Sequence, residues 1–114
     1  MSIQRHNAGP RMSQAVVNNG TVYLAAIVSD AATDVKGQAA GVLKKIDDLL
    51  KAAGTDKSKL LSATIYLTDI KKWAEMNTVW DAWVSPGNTP ARATVQAQLA
   101  DPKYLIEIMV TAAV

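Results

Sequence analysis

The 114-residue sequence predicts an α+β domain in which two helices pack on one face of a mixed β-sheet. Three observations predict it. Two segments, Asp34 to Ala53 and about Ile70 to Val84, carry apolar residues at helical spacing. Around them lie shorter runs rich in Val, Ile and Thr, bounded by turn residues. The resulting order is β-β-α-β-α-β-β, which two helices on one face of a four- to six-stranded sheet satisfy. The length fits a single domain spanning residues 1–114.

Each element has a local cause. Ser13 to Val17 reads as a strand. Asn18-Asn19-Gly20 then supplies residues that tolerate positive φ and marks a hairpin. Thr21 to Val28 is apolar nearly throughout, the pattern of a strand covered on both faces. In the first helix Val35, Ala39, Val42, Ile46, Leu49, Leu50 and Ala53 share a side, while Lys44, Lys45, Asp48 and Lys51 fall largely opposite. Gly54 is a natural stop, because it enters the left-handed region without a Cβ penalty. Leu61, Ala63, Ile65 and Leu67 alternate with Ser62, Thr64, Tyr66 and Thr68 in a strand with one core face and one polar face. Asp69 is placed to cap the second helix, whose stripe is Ile70, Trp73, Trp80 and Val84. Ser85 to Thr89 is a loop. Ala91 to Leu99 alternates again, with Arg92, Thr94, Gln96 and Gln98 on one side. Asp101-Pro102 turns the chain, and Leu105 to Ala113 closes the fold as the partner of a last hairpin. The sheet face away from the helices would carry Thr64, Tyr66, Thr94, Gln96 and Met109. A mixed face of that kind suits subunit contact, so a homo-oligomer is expected.

Composition excludes several classes. Hydrophobic residues make up 49 %, enough for a real core. The formal net charge is only +2 with no basic block, so no nucleic-acid partner is expected. There is no cysteine and a single histidine, His6, read as a surface residue, so no metal site is expected. No apolar run approaches the length of a membrane span, and the N-terminus lacks an apolar signal core, so a soluble cytoplasmic domain is the default.

Two charged residues stand out. Arg92 opens one strand, and Glu107 interrupts the apolar run Tyr104 to Val110. A carboxylate in such a run is costly unless it is paired or used. A guanidinium fork matches a carboxylate ligand in two parallel hydrogen bonds, and a carboxylate can orient or deprotonate water. Within one hairpin turning at Asp101-Pro102, Glu107 would lie opposite about Gln96. Arg92 would then be about 13 Å away. That separation favours a working pair drawn from two chains. Trp73, Trp80 and Trp83 read as core or interface residues. Asn77, between Trp73 and Trp80, reads equally as a helix-layer residue or a site residue.

The segment Gly9-Pro10-Arg11-Met12-Ser13-Gln14-Ala15-Val16 resembles the Gly-Pro-x-Ser-Gln-Ala-Val motif of the Rid (YjgF) family, the reactive intermediate deaminases. Gln38, Ala53-Gly54, Asp69, Asn77, Pro90-Ala91-Arg92 and Ile106-Glu107-Ile108 also match in order and spacing. The resemblance implies a chorismate-mutase-like fold, a homotrimer with sites between subunits, and no metal or organic cofactor. It implies hydrolysis of enamine and imine intermediates to 2-oxo acids and ammonia. Arg92 would anchor the carboxylate of a 2-imino acid, and Glu107 would serve the water. Met12, Ala26, Asn77 and Thr94 would complete the substrate-binding set. The chain departs from the family pattern at Met12, where tyrosine is usual, at Arg11 as an apparent insertion, at Ala26-Ile27, where Gly-Gln is usual, and at Thr94, a position often held by cysteine. The same cleft could hold a small carboxylate without turnover.

Overall fold

The computed structural model describes residues 2–114. They form β1 (Gln4–His6), β2 (Ala15–Asn18), β3 (Thr21–Leu24), α1 (Val35–Ala52), β4 (Leu60–Leu67), α2 (Trp73–Trp83), β5 (Ala91–Gln96) and β6 (Ile106–Ala113). The strands make one six-stranded sheet in the order β1-β2-β3-β6-β4-β5. Both helices pack against it, as the sequence predicts. The β2–β3 hairpin turns on Asn19 and Gly20, both at positive φ, between the paired Asn18 and Thr21. That two-residue turn matches the twist of its strands.

The largest correction concerns the last two strands. β5 pairs in parallel with β4, and β6 pairs antiparallel with β4 on its other side, so β5 and β6 form no hairpin. The physical reason is α2. A strand, a crossover helix and a second strand give parallel neighbours, and β4–α2–β5 is such a unit. β5 is thereby sent to the sheet edge.

Smaller differences follow local chemistry. β1 is a strand the sequence reading leaves out. His6 pairs with Ala15 there and is half-buried, and its Nε2 has no hydrogen-bond partner among the described residues. β3 ends at Leu24 instead of Val28, and only Ile27 rejoins β6, exchanging hydrogen bonds with Ile108 of 2.8 and 3.1 Å. A register shift between Leu60 and Ser62 turns Leu61 outward and gives its core place to Leu60. Asp69 caps a single 3-10 turn, Ile70–Lys72, rather than the α-helix itself. β5 stops at Gln96, and β6 begins at Ile106.

α1 is framed by its sequence. The Asp34 side chain accepts from the Gly37 N–H at 3.0 Å. At the other end Gly54, at φ +86°, donates to Lys51 and Thr55 donates to Leu50, a Schellman closure. Val42, Ile46 and Leu50 are fully buried in the core with Val22, Ile65 and Leu67. On α2 the buried residues are Met76 and Trp80, while Trp73 and Ile70 stay exposed.

Paired residues of neighbouring strands share a face, so register decides what each face carries. Arg92, Thr94 and Gln96 pair with the core-facing Ala63, Ile65 and Leu67 and therefore lie on the helix side. Thr94 and Gln96 are thus not on the uncovered face. That face carries Tyr23, Thr64, Tyr66, Ala93, Val95, Glu107 and Met109. Tyr23, Val95 and Met109 each leave 42–47 % of their surface exposed there, more apolar area than the expected polar set.

Candidate functional site

The six candidate residues fall into two groups. Arg92, Thr94 and Asn77 form the first, between β5 and α2. Two contacts fix how strand and helix run past each other. The Arg92 guanidinium lies over the Trp80 ring, 5.3 Å from its centroid. The Gln96 side-chain oxygen accepts from the Ile70 N–H at 2.9 Å. Thr94 is midway between Arg92 and Gln96, so it faces the middle of the 70–80 segment, where Trp73 and Asn77 sit. Asn77 and Trp80 are three residues apart and adjacent on the helix surface.

This group is polar and unfinished. Thr94 Oγ1 and Asn77 Oδ1 are buried, and neither has a hydrogen-bond partner among the described residues. Buried polar atoms are nearly always paired, so two orphans on one seam point to a missing partner. No carboxylate of the described residues forms a salt bridge with Arg92. The cation–π contact with Trp80 holds the guanidinium in place, and its N–H donors make no hydrogen bond among the described residues.

Met12 and Ala26 share a second region, and Glu107 lies on the neighbouring strand outside the lining of their cleft. Met12 and Ala26 line a cleft of about 550 Å³ between the N-terminal arm, the 26–28 segment and one side of α1. The Ile27–Ile108 bridge clamps that segment against β6 beside Glu107. Glu107 pairs with Tyr66 and is half-buried on the uncovered sheet face. Gln38 supports this group from below. Its Nε2 donates to the Ala32 and Lys103 carbonyls at 3.1 and 2.8 Å, and its Oε1 accepts from the Leu105 N–H at 2.8 Å. Those bonds pin the loop that delivers Glu107.

The two groups do not meet within one chain. Glu107 and Val95 both pair with Tyr66, so Arg92 lies two strands across and three residues along from Glu107. That separates the two Cα atoms by about 14 Å. The side chains also leave opposite faces of the sheet. The expected gap was thus of the right size for the wrong reason, since β4 stands between the strands.

Sequence reasoning missed Trp80 as the bed of Arg92. No local pattern signals it, because the contact depends on parallel β4–β5 pairing. Among the described residues no cluster of His, Cys, Asp or Glu could hold a metal ion. No helix there is long and apolar enough to cross a membrane.

The model of the family described as "Endoribonuclease L-PSP" matches residues 3–114. The RutC family protein YoaB of Escherichia coli K12 is 44 % identical over 114 residues, covering all of both chains. Reactive Intermediate Deaminase A, chloroplastic, of Arabidopsis thaliana is 30 % identical over 103 residues, covering 84 % of this chain and 54 % of its own. The crystal structure of NMB1025 of Neisseria meningitidis, a member of the YjgF protein family, superposes with a TM-score of 0.97. It is 46 % identical, covering 99 % of this chain and 95 % of its own.

Proposed function

We propose a function from one premise: the chain belongs to the Rid (YjgF) family, which includes the RutC proteins and carries the Endoribonuclease L-PSP model. The function is hydrolytic deamination of reactive enamine and imine intermediates. A 2-imino acid and water give a 2-oxo acid and ammonia, and an enamine enters by tautomerising to the imine. Arg92 anchors the substrate carboxylate through its free guanidinium edge. Glu107 orients the water and accepts its proton as oxygen attacks the imine carbon. Thr94 and Asn77 offer their unpartnered oxygens beside the anchor, and the Ala26 backbone holds the substrate from the Glu107 side. An imine carbon is already electrophilic when protonated, so orientation and modest base help suffice.

Arg92 and Glu107 of one chain leave opposite faces, so the complete site joins the Arg92 group of one subunit to the Glu107 group of the next. Two different patches in contact make a head-to-tail interface, which forms a ring where the rotation closes. A homotrimer is such a ring, with the apolar uncovered face turned inward. RNA cleavage, the activity in the family model's name, draws little support from a net charge of +2.

The observation that carries this reading is the first group: a carboxylate-matching guanidinium beside two buried, unpartnered polar atoms. The test is Arg92→Ala. Ammonia release from an enzymatically generated 2-imino acid should fall to the uncatalysed rate, while light scattering still reports the trimer. Full activity in that variant would remove the assignment.

One observation favours a second reading. Met12 replaces the usual tyrosine hydroxyl, and Ala26-Ile27 replaces the usual Gly-Gln, which fits a binding protein that holds a small carboxylate without turnover. Binding of a 2-oxo acid with no acceleration of imine hydrolysis selects it.

A further inference from the structure

β4 sets one hydroxyl beside Glu107 that the deamination reading does not use. Tyr66 and Glu107 are partners in the β4–β6 register, so both leave the uncovered face of the sheet. Both are half-buried. Among the described residues no hydrogen bond engages the Tyr66 hydroxyl or the Glu107 carboxylate, and no ion pair engages Glu107. Two polar ends thus share one rung of the sheet, each with its bonding capacity to spare.

The surroundings narrow what they can hold. On the far side of Tyr66 the same rung carries the apolar Val95. The next rung carries Met109, Thr64 and Ala93. Tyr66 is therefore the hydroxyl directly opposite Glu107, and Thr64 lies only diagonally. Position 12, with its methionine, brings no hydroxyl. Opposed residues of an antiparallel pair hold their Cβ atoms about 5 Å apart, with side chains roughly perpendicular to the sheet. A tyrosine is longer than a glutamate by roughly the width of a water molecule. The phenol oxygen therefore stands higher than the carboxylate, with room for one water against both.

We propose that Tyr66 is a catalytic residue, whose hydroxyl and the Glu107 carboxylate hold the attacking water between them. The inference rests on the proposed service of Glu107 to that water. The water donates one O–H to the carboxylate and the other to the phenol oxygen, which can accept as well as donate. A lone pair is left turned away from the sheet, toward a substrate packed against this face. As the C–O bond forms, the imine π pair moves to nitrogen and one water proton passes to Glu107. The other proton stays on the new hydroxyl, still held by the phenol.

Two measurements test it separately. Carbon-13 NMR of the full chain, labelled at tyrosine Cζ, reports hydrogen bonding of the phenol and needs no turnover. The chain has three tyrosines, and Tyr66→Phe identifies the signal. Glu107→Gln should shift the Tyr66 signal. It should leave that of Tyr23 in place, because Thr111, the β6 partner of Tyr23, is about 13 Å along the strand from Glu107. Initial rates then use an imine generated in place by a flavin amino-acid oxidase. Tyr66→Phe should lower kcat about tenfold with KM nearly unchanged, the loss of one hydrogen bond to a reacting atom. Tyr23→Phe removes a hydroxyl from the same face and should change neither constant. A Tyr66 signal indifferent to Glu107→Gln, or an unchanged kcat in Tyr66→Phe, overturns the inference. Ammonia release by the wild type in that case leaves the deaminase reading standing. A responding signal in a wild type that hydrolyses no imine removes the deaminase reading and keeps Tyr66 and Glu107 as the water-holding pair of a binding site.

Discussion

The two halves of the candidate site are built in opposite ways. The Arg92 half is a seam between a strand and a helix. Its cation lies on an indole face, and two polar atoms beside it are buried without partners. The Glu107 half is a satisfied scaffold, with the Met12 cleft beyond the 26–28 segment rather than around Glu107. Gln38 closes three hydrogen bonds beneath it, and Ile27 and Ile108 exchange two more. The first half holds its groups in waiting, and the second spends its hydrogen bonds on position. Neither carries both the proposed anchor and the proposed base, so the proposed reaction calls for a second copy.

The sharpest way to break that comparison is to mix two inactive chains. Arg92→Ala and Glu107→Gln should each reduce imine hydrolysis by orders of magnitude when alone. In trimers reassembled from equal amounts of both, a site is intact only when its Arg92 and its Glu107 both come from the unaltered donor. Chance meets both conditions for about one quarter of the sites, so activity should recover to about a quarter of wild type. A pair operating within one chain would show no recovery.

The next largest effect should separate the halves energetically. Gln38→Leu deletes three hydrogen bonds and leaves the Leu105 N–H and two carbonyls to find new partners. Stability in urea should fall by about 3 kcal/mol. Because the loop it pins delivers Glu107, the surviving folded protein should, on the proposed function, lose kcat more than it changes KM. A rise in KM alone would place Gln38 with the Arg92 half instead.

Much of this was legible in the sequence, and the reasons for the exceptions are physical. The Asn19-Gly20 turn, the Gly54 stop of α1 and the alternation of β4 from Ala63 onward are set by neighbours in the chain, and local pattern shows them, whereas Asp34, read as part of the helix, is its N-cap. Thr94 on the wrong face and the β5–β6 hairpin have a common origin. Both depend on which strand β5 meets, and α2 decides that from a distance by carrying the chain across to a parallel pairing. Trp80 beneath Arg92 is hidden for the same reason. The resemblance named six candidate residues without their division, because a motif records identity and not the face of a sheet.

The Arg92 half also makes a signed stability prediction. Thr94→Val keeps the shape of the side chain and removes a buried hydroxyl that has no partner. The protein should become more stable by about 1 kcal/mol, since an unsatisfied polar group is lost and an apolar one gained. Binding of a 2-oxo acid should weaken in the same variant. Lower stability would mean that the hydroxyl is already paired in solution.

The smallest effect is a control outside both halves. Asp56 caps the turn before β4, accepting from the Ser58 N–H at 2.8 Å and from the Ser58 hydroxyl. The Ser58 side-chain hydrogen bond first, then the backbone one, holds its carboxyl below the ordinary 3.8. A carboxyl depressed in the folded state binds its proton less readily than in the unfolded chain. Its contribution is therefore complete above the ordinary carboxylate value and is lost as pH falls through the lowered one. Asp56→Ala should flatten that acid limb slightly in thermal melts. It should leave kcat and KM for any imine unchanged, since the turn touches neither Arg92 nor Glu107. A shift in either kinetic constant would show that β4, which separates the two halves, also couples them.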